Sequence, residues 1–93
     1  MNIAMDWLTE TELAELTGVA AALLHRGSEA GLFDGLIEIV DGARRYAPDA
    51  TALVAWSDRL GDDVVAGYIR LEEAHRLFWQ RARQLRRRSA RVV

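Results

Sequence analysis

The chain has no cysteine, no lysine and only one proline. Without cysteine it can form no disulfide, no thiolate metal site and no thiol nucleophile. No apolar run approaches the roughly 20 residues that a membrane-spanning helix needs. No basic-then-apolar leader precedes Asp6, so the expected location is the cytoplasm. Glycine-rich phosphate loops and Ser-His-Asp arrangements are missing as well. The two histidines, His25 and His75, stand far apart in sequence, and two ligands alone rarely make a metal site. No catalytic residue, metal or cofactor is nominated, and the chain is expected not to be an enzyme. What is present is a 93-residue chain, 51% hydrophobic. That composition predicts one small, folded, mostly helical domain near the marginal end of burial.

Charge is unevenly placed. All twelve basic residues are arginine, which reads as compositional bias before function. Residues 1–42 carry eight acids against Arg26 alone, a net of −7, while residues 43–93 carry eleven arginines against six acids, a net of +5. From Arg76 onward there are seven arginines and no acid. Phosphate contacts supply most nucleic-acid affinity, so the first half would repel a duplex unless the second outweighs it.

The stretch Leu8 to Asp49 organises the chain. Thr9-Glu10-Thr11-Glu12 has the pattern of a capping box, and Leu8 and Leu13 flank it at the spacing of a hydrophobic staple. A helix from Glu10 to Leu16 should stop at Thr17-Gly18, where glycine can turn left-handed. A second helical run, Val19 to Ala30, ends at Gly31. Two short helices joined through a glycine suggest a helix-turn-helix. Leu36 to Val40 is then an apolar run closed by Asp41-Gly42, the strongest short-range hairpin signal. That turn sets Val40 opposite Ala43, Ile39 opposite Arg44, Glu38 opposite Arg45 and Ile37 opposite Tyr46. Pro48 opens the next helix where its missing amide costs nothing. The expected fold is mostly α: a winged helix-turn-helix with a two-strand β-hairpin wing and a C-terminal helix.

These residues resemble a known family. Leu13-Ala14-Glu15-Leu16-Thr17-Gly18-Val19, then Leu24-His25-Arg26 and Glu29-Ala30-Gly31-Leu32, are similar to the amino-terminal half of the MerR DNA-binding domain. Gly42-Ala43-Arg44-Arg45-Tyr46 with Asp49 resembles that family's wing end and the acidic helix start after it. The resemblance spans roughly residues 7 to 75. The chain differs in having Ala20 where the family usually has serine, and Arg26-Gly27 where it has paired aromatics.

Beyond Pro48, apolar residues at Leu53, Trp56, Leu60 and Val64 mark one helical face, which either continues through Gly61 or is split there. Gly67 ends this segment, and Leu71-Glu72-Glu73 restarts a helix with acids at its positive end. Leu71, Phe78 and Leu85 recur every seven residues, with His75, Ala82 and Ser89 between them, as in a short coiled-coil seam. The expected division is residues 1–70 as the winged domain and 71–93 as a C-terminal helix with a basic tail, frayed from Ser89 on. Trp7, Trp56 and Trp79 are expected as core or interface anchors.

Two functions from different classes follow. The resemblance implies a small DNA-binding transcriptional regulator, with Arg44, Arg45 and Tyr46 holding phosphates and His25 and Arg26 facing the major groove. Leu71, His75, Phe78, Ala82 and Leu85 are expected as a dimer or partner interface, with the leucine and phenylalanine stripe buried either on the domain or on a second copy. The alternative is a protein-interaction module with a basic partner, resembling the CbpM-like modulators of J-domain co-chaperones; an excisionase-like architectural factor is a further variant. The acidic first half and the alanine-rich second helix suit a basic partner.

Overall fold

The structure, a computed structural model, describes residues 7–90. It is mostly helical, with a small antiparallel sheet: β1 Leu8–Thr9, α1 Glu10–Thr17, α2 Ala21–Glu29, β2 Ile37–Val40, β3 Ala43–Tyr46, α3 Asp49–Val65 and α4 Leu71–Ala90.

Local chemistry accounts for the first helix. The Thr9 amide donates to Glu12 Oε1 at 2.8 Å, and the Glu12 amide donates to Thr9 Oγ1 at 3.1 Å, completing the capping box. Gly18, at φ 74°, closes α1 by donating its amide to the Ala14 carbonyl. Thr9→Ala should lower stability by about 1 kcal/mol, read as a drop in the denaturation midpoint. The Thr9 amide first, the Thr9 hydroxyl second and the Arg45 charge further hold the Glu12 carboxyl below its usual range. Its stabilising contribution is therefore present above the ordinary carboxylate pKa and is lost as pH falls through the folded value.

The hairpin register is the one the sequence predicts, from Val40 opposite Ala43 to Ile37 opposite Tyr46. Asp41 and Gly42 both take positive φ, at 51° and 79°. The sheet, however, has three strands in the order β1-β3-β2, because Leu8 pairs with Tyr46 and Thr9 with Arg45. The expected two-strand hairpin is corrected here. Two residues are too few to show an alternating pattern, yet they use the free edge of β3.

Gly61 does not split α3, which runs unbroken from Asp49 to Val65. Ala50, Leu53, Val54 and Leu60 are buried, whereas Trp56 and Val64 are half-buried. Nothing lies within 4 Å of where a Cβ at Gly61 would stand. Gly61→Ala should therefore raise stability by about 0.5–1 kcal/mol, measured in the same denaturation experiment.

The core joins Leu13, Leu24, Phe33, Leu36, Tyr46, Ala47, Ala50 and Leu53 to Ala82 and Leu85 of α4. It extends past residue 70 into the C-terminal helix. The heptad stripe divides: Ala82 and Leu85 are buried inside the chain, Phe78 is half-buried against the core, and Leu71 and His75 are exposed. Ala82 and Leu85 are thus unavailable to a second copy, and the expected interface through them is corrected. The inward face follows Ala74, Phe78, Ala82, Leu85 and Ser89, which brings the far half of α4 over the start of α3. There the Ser89 hydroxyl donates to Asp49 Oδ2 at 3.1 Å, and Arg88 Nη2 lies 3.0 Å from Asp49 Oδ1. Arg86 lies over the Trp79 ring at 5.6 Å. Fraying is therefore corrected at Ser89; residues 91–93 lie outside the described residues.

Candidate functional site

Three elements meet in a polar cluster between α2 and the hairpin. Glu10 opens α1, His25 and Glu29 lie one turn apart on α2, and Arg44 and Tyr46 share a face of β3. Tyr46 sits in the central strand, opposite both Leu8 and Ile37, with its ring buried edge-on against Phe33 at 5.3 Å. Its hydroxyl donates to Glu10 Oε2 at 2.5 Å. Burial first, and the Glu10 carboxylate second, push the phenol up to about 12. This corrects the expected phosphate-holding role of Tyr46: a ring fully covered by α1 and Phe33 cannot reach a ligand.

His25 joins the other groups. Its Nδ1 lies 2.8 Å from Arg44 Nη1 and 3.5 Å from Glu10 Oε1, and its Nε2 lies 3.1 Å from Glu29 Oε1. A guanidinium only donates, so the Arg44 contact requires Nδ1 to accept. The compatible neutral tautomer carries its proton on Nε2, where it is donated to Glu29.

The expected groove-facing pair therefore separates. His25 is turned to the hairpin, while Arg26 stands exposed and makes none of the side-chain hydrogen bonds or ion pairs found among the described residues. Arg45 is half-buried, across the ladder from both Glu38 and Thr9. The participation of Glu29 was readable from its spacing of four from His25. That of Glu10 was not, since it approaches from another helix.

Over residues 7–46, seven acids face three arginines, a net of −4 with His25 neutral. Among the described residues no group of three or more acids and histidines has the arrangement of a metal site, and no helix is long and apolar enough to cross a membrane. No family model matches the chain, and no curated protein or solved structure does.

Proposed function

We propose that this chain is a winged helix-turn-helix domain that recognises a protein rather than nucleic acid. Within the MerR-type resemblance, the CbpM-like modulators of J-domain co-chaperones are the type this reading follows, and a basic J-domain helix is the proposed partner class. The observation that carries this reading is the placement of the hairpin arginines. Arg44 is drawn onto His25 at 2.8 Å, a ring that itself lies between Glu10 and Glu29, and Arg45 faces Glu38 across the ladder. Around them α2 exposes Ala22, Arg26 and Glu29, a surface with one arginine and little capacity to read base edges. The net of −4 over residues 7–46 disfavours phosphate and favours a basic partner for the domain as a whole.

DNA binding keeps one specific support, the exposed Arg26 on α2 beside the hairpin that carries Arg44. Titrating the chain with a labelled duplex at low salt, and separately with a J-domain by calorimetry, decides between them. The expected result is saturable J-domain binding and no duplex binding above background. Salt-sensitive duplex binding that Arg44→Ala weakens, with a salt slope lower by about one unit, would establish the regulator instead.

A further inference from the structure

Away from the hairpin, on the opposite flank of α2, the molecule carries an apolar trough. Leu16 and Leu23 are 67% and 55% exposed, and both open onto the outer side of α3. One hollow lies between Leu16 and α3; a second, of about 150 Å³, lies between Leu23 and Phe78; the two share Val54 and Asp58 as walls. A third, of about 500 Å³, continues from the second through their common walls Leu32, Ser57 and Phe78. It ends at Leu71 and Trp79, which are 58% and 41% exposed. From Val54 to Val64 the floor is three turns of α3, about 15 Å at the rise of a helix. Gly61 lies in this floor with open space where a side chain would stand.

Charge along the trough has mainly one sign. Asp58 and Asp62, one helical turn apart, are exposed on its wall, and neither is in an ion pair among the described residues. Arg59 borders the Leu16 end, but its guanidinium lies over the Trp56 ring at 5.9 Å. His75 borders the far end. An apolar channel about three turns long with a pair of unmatched carboxylates suits a helix whose apolar stripe is flanked by cations.

We propose that this trough is the docking site, and that its occupant is a basic amphipathic helix of a partner protein. This rests on the protein-recognition reading and adds where the partner sits and what it must present. The hairpin cluster is then a bystander to docking.

The test uses the full chain, isotope-labelled, and two synthetic helical peptides of about five turns. One has a leucine stripe flanked by arginines, and the other has glutamates in place of the arginines. The arginine peptide should shift the methyl resonances of Leu16, Leu23, Val54 and Val64 and leave the amides from Glu38 to Arg45 unmoved. The glutamate peptide should not bind. Asp58→Arg with Asp62→Arg should weaken the arginine peptide about tenfold or more, and His25→Gln should not. Both aspartates are exposed, so an unchanged melting midpoint in the double variant separates lost binding from lost folding. Binding that maps to the hairpin, binding that survives the charge reversal, no binding of either peptide, or a self-dimer that fills the trough would each overturn the proposal. A J-domain that binds while the trough stays silent would overturn this location and leave the protein-recognition reading standing; duplex binding would defeat that reading.

Discussion

Alanine at Tyr46 is expected to lower stability by about 3–5 kcal/mol, the cost of emptying a large aromatic site in a core that cannot collapse around it. That is a large part of the total for a domain of this size. The ring is fully buried, meets Phe33 edge-on and stands in the central strand. Tyr46→Phe keeps the ring and removes only the hydroxyl that donates to Glu10, so about 1 kcal/mol should be lost. Urea denaturation of the three proteins gives the comparison, and an alanine variant as stable as the parent would restore Tyr46 to the surface. The phenol adds a pH signature. Its folded value, pushed up to about 12, lies above that of an unfolded tyrosine near 10. The associated stability is fully present below about pH 10 and declines as pH rises through 12, because the unfolded chain ionises first. The phenylalanine variant should lack that alkaline loss.

Leu85→Ala should cost about 2–5 kcal/mol, whereas Leu71→Ala should stay within about 0.5 kcal/mol. The two leucines hold equivalent positions in one heptad stripe, but Leu85 is buried in the shared core and Leu71 is 58% exposed. A chain ending before α4 should for the same reason fail to fold, since its core would lose Ala82 and Leu85. Thermal melts of both alanine variants and of the shortened chain measure this. Equal costs at the two leucines would mean that α4 packs along its whole stripe, in the manner of a coiled coil.

A divided stripe also bears on assembly. The stripe residues left exposed, Leu71 and His75, lie at the end of the trough along α3. The seam thus closes the domain with its far half and presents a surface with its near half. Heptad spacing alone does not distinguish these uses, because it records which residues share a face and not what that face meets.

The sequence by itself determined the parts whose causes are local. The start of α1 needs only Thr9 and Glu12, three residues apart, and the hairpin register follows from Asp41 and Gly42 between adjacent strands. Such contacts close with few residues between them, so the pattern of residue types nearly states them. Tertiary structure alone decided the rest. Tyr46 meets Glu10 across 36 positions, Ser89 meets Asp49 across 40, and Arg44 meets His25 across 19. No periodicity carries those distances. Arg44 and Tyr46 share a strand and a spacing of two, yet one turns to His25 and the other is sealed beneath α1. Counting arginines therefore gives a hairpin's charge but not its availability, because a side chain brought in from a helix, here His25, can engage one of them before any ligand arrives.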